Sequence, residues 1–445
     1  MHDSVRYAIF GLDPFWLSLA LFAATYIAII TERLNRAIIA LLGAVLMILS
    51  GVVTQQQALR YGVDFNTLGL LTGMMVIVAI TRKCGVFQYV AVWSAKKVNA
   101  NPWGILAMLA LVTAVFSAFL DNVTTVLLVA PVTLLITEEL KVEPFPYLMT
   151  EILASNIGGT ATLIGDPPNI MIGSATGLSF NQFIIHLAPV AVLVLFITLI
   201  PIYFLWGRKL TATAEARARV MQFNEREAIT DIRLLKQSLF VLTLVILGFV
   251  LAHSLHIEPA TIAIGGAAVL LLLDNFAHHA ERQSEQVHKT FGEVEWVTIF
   301  FFLGLFIVVH GIESAGVLKW LADRVVALTG GDLVVTGQAI LWVSALASGI
   351  VDNIPFVATM IPLIQSMAPV YGGAVQIEPL WWSLALGACL GGNGTLIGAS
   401  ANLIVAGISE RAGYPIRFMK FLWVGFPLMM LSIVISSLYL QWRYF

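Results

Sequence analysis

Charge is what this chain has least of. Asp, Glu, Lys and Arg make up 11% of its 445 residues, against 59% hydrophobic ones. A soluble domain carries about 25% charged residues, so the balance excludes a water-soluble globular protein. Cysteine is scarce as well. Cys84 and Cys389 are too few for a disulfide framework or a thiolate metal cluster, and each reads as a small apolar packing residue. There is no GxxxxGK[ST] loop, so ATP hydrolysis within this chain is not expected. The net charge of −2 gives no pointer to nucleic acid, and none is expected as a partner. Residues 1–13 lack a basic stretch followed by a short apolar core and a cleavage site, so no cleavable signal is expected.

What is present is a succession of apolar runs near the ~20-residue length of a membrane span, from residue 14 to residue 444. The chain reads as an all-α polytopic membrane protein with the lipid bilayer as its surroundings. Apolar segments are expected at 14–31 and 37–53, joined by the charged turn Glu32-Arg33-Leu34-Asn35-Arg36, and at 66–81. The shorter 85–95 reads as interfacial. Segments 103–120 and 123–137 flank Asp121-Asn122. A helix over 147–157 is interrupted by Gly158-Gly159 and Pro167-Pro168 and resumes over 169–175; 183–206 completes this half.

The same plan then repeats. At an offset of 231, Asp121-Asn122 falls on Asp352-Asn353 and Pro131 on Pro362; at 233, Gly159 falls on Gly392, Thr162 on Thr395 and Asn169 on Asn402. The organisation expected is a first repeat over 14–206, a polar linker over 207–236 and a second repeat over 237–441. Its segments are 237–252, 259–273, 296–311, a hairpin turning at Asp352-Asn353, a broken helix around 391–400, and 421–439. If each Asp-Asn hairpin enters and leaves on one side, each half crosses an odd number of times. The fold is then two inverted-topology repeats with re-entrant hairpins and broken helices. Placing the linker in the cytoplasm leaves Arg6, Arg60, Lys319, Arg324 and Arg443 outside and the other 19 of 24 basic residues inside, a strong positive-inside bias for a cytoplasmic-membrane protein.

Polar breaks duplicated inside apolar helices point to the binding site of a secondary transporter. Irregular backbone at that depth is tolerated only where it is buried or lines a cavity. Asp121 and Asp352, between apolar arms, are candidates to hold Na⁺ or take up a proton, or else they only cap the helices that follow. The expected substrate or ion-binding residues are Asp121, Asn122, Thr125, Gly159, Thr160, Thr162, Asp166 and Asn169 in the first half. In the second half they are Asp352, Asn353, Gly392, Asn393, Thr395 and Asn402. Asp166 has no acidic counterpart, since Ala399 stands there, and it is either a turn residue before two prolines or the coupling acid. Proton coupling is thus expected at Asp121, Asp352 and Asp166, with H⁺ or Na⁺ as the coupling ion and no cofactor or metal. Glu151 is a secondary relay candidate. His310 and Glu313 read as interface residues, and His278, His279 and His288 as solvated.

The runs FSAFLDNVTTVLLVAPVTLLI and NIGGTATLIGDPPN resemble the ion transporter superfamily, in its branch of arsenite pumps and the melanocyte P protein. The resemblance covers residues 37–439. It implies alternating access with the site between repeats, in a branch that mixes arsenite, sodium and anion carriers; the partners expected are a small inorganic solute and a separate soluble ATPase subunit. Dicarboxylate symporters of that superfamily carry Ser-Asn-Thr at the hairpin tips where this chain has Asp121-Asn122-Val123 and Asp352-Asn353-Ile354. The first expectation is therefore proton-coupled efflux of arsenite or antimonite, hydrogen-bonded by Asn122, Asn353, Thr162, Thr395 and Asn393. The alternative is a Na⁺/H⁺ antiporter. An organic-anion carrier comes third, since it would want an Arg or Lys in the site and none lies within either break.

Overall fold

The computed structural model describes residues 8–445 apart from Glu32, Ala277, His278 and the side chain of Phe10. Arg6 of the charge count, Glu32 of the first turn and His278 of the solvated trio lie outside the described residues. Among those described there is no strand. The first half comprises α1 (Pro14–Ile30), α2 (Arg36–Leu49), a single turn α3 (Gln55–Gln57), α4 (Phe65–Lys83), α5 (Val86–Lys97), α6 (Pro102–Phe119), α7 (Asn122–Leu140), α8 (Phe145–Thr160), α9 (Pro167–Thr176) and α10 (Phe180–Ile202). The link carries α11 (Ala214–Gln222). The second half comprises α12 (Ile232–Leu255), α13 (Pro259–Asn275), α14 (Ala280–Gly292), α15 (Trp296–Ser314), α16 (Val317–Leu328), α17 (Leu333–Ile350), α18 (Asn353–Met367), α19 (Glu378–Gly391), α20 (Ser400–Arg411) and α21 (Phe418–Arg443). Among the described residues, eight helices are long and apolar enough to cross a membrane.

Local sequence sets the helix starts. Asp13, Asn35, Asp64, Asn101, Asp121, Asp231, Asp332 and Asp352 each accept a hydrogen bond from an N–H of the first turn, removing one of the donors that a helix leaves unpaired. Several boundaries differ from the sequence expectation. The polar link is structured, and α12 already begins at Ile232 behind its cap Asp231, five residues before position 237. The last helix runs over Phe418–Arg443 rather than 421–439. Gly158-Gly159 does not break α8, which continues to Thr160; the irregular run is 161–166, and α9 resumes at Pro167. Those glycines serve close packing instead. A Cβ on Gly158 would stand 2.1 Å from the Ala114 carbonyl oxygen, and one on its counterpart Gly391 would stand 2.6 Å from that of Ala345, itself the counterpart of Ala114. Prolines at the first helical positions then favour a restart.

The halves interlock by exchange. α2 of the first half packs along α15 of the second, and α13 of the second along α4 of the first. Gly304 meets the backbone of Ala40, and its counterpart Gly73 meets that of Ala263, the counterpart of Ala40. Small residues at such crossings let backbones approach without a side chain between them. The equivalent helices α4 and α15 run in opposite directions. α4 ends at Lys83, whose ammonium reaches Asp274 at 3.2 Å and Thr290 at 2.9 Å, and α15 starts just after Thr290. The two repeats are inverted.

One face gathers the linker and its partners. Lys96 pairs with Glu225, Arg219 with Glu139 at 3.1 Å, and Lys420 with Glu143 at 2.7 Å. Arg217 donates to the Asn99 carbonyl at 2.8 Å. The remaining helices form the other body: the hairpins α6–α7 and α17–α18 lean on the broken helices α8–α9 and α19–α20.

Candidate functional site

Both hairpins turn inside the molecule, and their tips meet at one carboxylate. Asp166 is fully buried and sits at the end of the irregular run, with its side chain turned away from α9 rather than capping it. The Asn122 amide of the first tip donates to it at 3.3 Å, and the Asn353 amide of the second tip does so at 3.3 and 3.4 Å. No basic side chain pairs with it among the described residues. The space between the tips is a cavity of about 30 Å³, bordered by Asp121, Asn122, Asp166, Asn353, Arg36 and Glu295 among others. That is room for one or two water-sized species.

The two tip aspartates differ. Asp121 accepts from both the N–H and the hydroxyl of Thr124, so it serves its own helix as a cap. Asp352 accepts from Ile354 N at 3.2 Å, from the Ser400 hydroxyl at 2.9 Å and from the guanidinium of Arg36. Arg36 also donates to Ser400 at 2.8 Å. Arg36 lies in neither break, yet it brings a cation to the second tip. Arg36 belongs to the first charged turn, but α2 has 14 residues, about 21 Å at 1.5 Å per residue, which falls short of the ~30 Å hydrocarbon core. From the start of that short helix its side chain, 28% exposed, reaches the second tip.

Several expected recognition groups face backbone instead. Thr162 donates to the Ala118 carbonyl, and its counterpart Thr395 to that of Gly349 at 2.5 Å; each pins its irregular run to a hairpin arm. Asn169 donates to the Thr162 and Thr160 carbonyls at 2.8 and 3.1 Å, and Asn402 to those of Gly392 and Thr395 at 2.8 and 2.9 Å. Thr160 donates to Asn156 at 2.8 Å. These groups satisfy carbonyls that the helix breaks set free, which buried backbone requires. Gly159 and Gly392 lie against Gly165 and Gly398, letting each run fold back on its helix. Thr125 is buried one turn into α7, its hydroxyl without a partner among the described residues.

Asn156, absent from the sequence-based set, joins the halves. It accepts from Asn122 at 3.2 Å and donates to Asn393 at 2.9 Å and Asn402 at 3.0 Å. Its counterpart Cys389 donates to Asn169 at 3.5 Å. Each half thus tethers the loop-closing asparagine of the other. The exchange of Asn for Cys at equivalent positions of the repeat was the available signal. Glu151 is buried and accepts from Thr133, with its second oxygen unpartnered among the described residues. His310 lies 3.2 Å from Glu313, away from the tips. No three His, Cys, Asp or Glu among the described residues stand together as a metal site.

Residues 26–387 match the sequence profile of CitMHS, the citrate transporter family. The chain belongs to that family. An uncharacterized transporter of Mycobacterium tuberculosis is 44% identical over 432 residues, covering 96% of this chain and 98% of that protein. The human P protein is 34% identical over 504 residues, covering 95% of this chain and 59% of that longer protein. The YdaH transporter of Alcanivorax borkumensis shares the fold at a TM-score of 0.61 and 14% identity over 97% of this chain and 98% of that one. MtrF of Neisseria gonorrhoeae, described as illuminating a class of antimetabolite efflux pumps, does so at 0.57 and 9% over 98% and 95%. With its spans, this membership makes the chain a multi-pass membrane transporter.

Proposed function

We propose that this chain is a proton-coupled secondary transporter of the cytoplasmic membrane, working by alternating access, with Asp166 as the group that takes up and releases the coupling proton. The observation that carries this is a fully buried carboxyl group held by an amide from each repeat and paired with no cation among the described residues. An ionised carboxylate in such a place is costly without a counter-charge, so a small cation must accompany it through the cycle. Both amides present N–H to Asp166, and a proton leaves that arrangement intact. Na⁺ would need both amides to turn their oxygens inward, which ranks Na⁺/H⁺ exchange lower. The clustering of basic residues on the linker face supports a cytoplasmic linker.

For the transported solute, arsenite loses much of its support. Thr162 and Thr395 donate to backbone, and Asn393 is engaged with Asn156 and the Leu153 carbonyl. A small organic anion gains support from Arg36 beside the tips and from the citrate transporter description of the family. The test uses proteoliposomes with an acid interior, challenged in turn with sodium chloride, arsenite and carboxylates, with protein-free vesicles as baseline. Wild-type protein should dissipate the pH gradient with one of these solutes, and Asp166→Asn should not. Full pH-coupled transport by Asp166→Asn would remove the proposal.

A further inference from the structure

Beside the tip-to-tip space lies a second, larger cavity of about 290 Å³. Arg36, Asp352 and Ser400 form its polar end, and Ile29, Leu34 and Leu403 are among its apolar walls. Arg36 borders both cavities. The hydrogen bonds described for its guanidinium, to Asp352 and Ser400, both leave from Nη1. The Nε–Nη2 edge, which matches the two oxygens of a carboxylate, makes no described hydrogen bond. The guanidinium is also fixed in place, since its carbon stands 4.9 Å from the ring centre of Phe301.

We propose that this cavity binds a monocarboxylate with an apolar body, its carboxylate on the free edge of Arg36 and its hydrocarbon against the isoleucines and leucines. The inference rests on the transporter reading above and names the solute class for it. Charge count favours one carboxylate over several. Arg36 is a single cation already facing Asp352, and Asp121, Asp166 and Glu295 border the adjoining space, so a tricarboxylate would meet carboxylates with no further cation. The apolar walls disfavour a small inorganic oxyanion, which would leave them uncovered. An anionic lipid headgroup offers the same oxyanion chemistry, and the experiment separates that source.

The experiment measures benzoate binding calorimetrically to the full-length protein in nanodiscs of zwitterionic lipid, against empty nanodiscs. Binding is expected for wild type, a loss of at least tenfold for Arg36→Gln, and an intermediate loss for Arg36→Lys, which keeps the charge without the fork. Leu403→Trp, which fills the cavity from a partly exposed wall position, should also lose binding and provides the test if Arg36→Gln fails to assemble. Citrate should bind at least tenfold more weakly than benzoate. Proton coupling is read separately, in the pH-gradient assay with Asp166→Asn, so failure of the coupling proposal and failure of this one read differently. Absence of wild-type binding, binding indifferent to Arg36→Gln and Leu403→Trp, or citrate binding as well as benzoate would overturn the assignment. So would loss of benzoate binding on adding phosphatidylglycerol to the nanodiscs, which would make a lipid headgroup the occupant.

Discussion

The two hairpin tips carry the same Asp-Asn pair and use its acid differently. Asp121 is consumed by Thr124, whose N–H and hydroxyl both bind it. At the second tip the position of Thr124 is held by Pro355, which has neither an N–H nor a hydroxyl. The Asp352 carboxylate is therefore not drawn onto the third residue of its helix. Ser400, where the first half has Pro167, then supplies a hydroxyl at 2.9 Å, and Arg36 supplies the charge. Two substitutions within a repeat thus make a helix cap also one arm of a charged cluster. The asparagines stay equivalent, both donating to Asp166.

The comparison is broken most directly at the aspartates. Asp352→Ala strands the guanidinium of Arg36, whose side chain is 28% exposed, with that of Asp352 at 16%. The cost should be about 1–3 kcal/mol, between the values for exposed and for buried pairs. Asp121→Asn should cost no more than about 0.5 kcal/mol, because Asn caps helices about as well as Asp. Denaturation of both variants in detergent measures this, and equal losses at the two tips would erase the distinction.

A smaller change tests its cause. Pro355→Thr returns an N–H and a hydroxyl to the second tip and should draw Asp352 toward its own helix by a capping term of about 1 kcal/mol. The coupling between Arg36 and Asp352, read from a double-mutant cycle, should fall by a similar amount in that background. An unchanged coupling would mean that the proline is not what frees the carboxylate.

How much of this was legible depends on which contacts are local. The duplication, the Asp-Asn tips and the polar breaks stand in the sequence because the repeat aligns them at nearly constant offsets. Arg36 does not: its partner lies 316 residues away, and its counterpart in the second half is Pro259, so the repeat gives no hint of it. The roles of Thr162, Thr395, Asn169 and Asn402 were missed for a different reason. Residue type shows that a donor is present, but freed carbonyls nearby compete for it with any solute. Gly158-Gly159 misled in the same way, since a glycine that permits close helix contact looks in sequence like one that ends a helix.

The smallest effect is expected at Cys389, where the halves differ by a sulfur. Its thiol is fully buried and lies against Asp166, though it lines neither cavity at the tips. It donates to Asn169 at 3.5 Å, in the place where Asn156 donates to Asn402 at 3.0 Å. Cys389→Ser keeps a donor at the same spot on a slightly smaller side chain, so stability should change by less than about 1 kcal/mol and transport should be nearly unchanged. Cys389→Ala removes the donor and leaves Asn169 one partner short, which should cost about 1 kcal/mol through loosening of the first irregular run. The order Ser above Ala, in thermal stability and in the pH-gradient assay, marks the thiol as a hydrogen-bond donor within the scaffold. If both variants lost arsenite-dependent flux while keeping wild-type stability, sulfur would instead be binding the solute, and arsenite would return as the leading candidate.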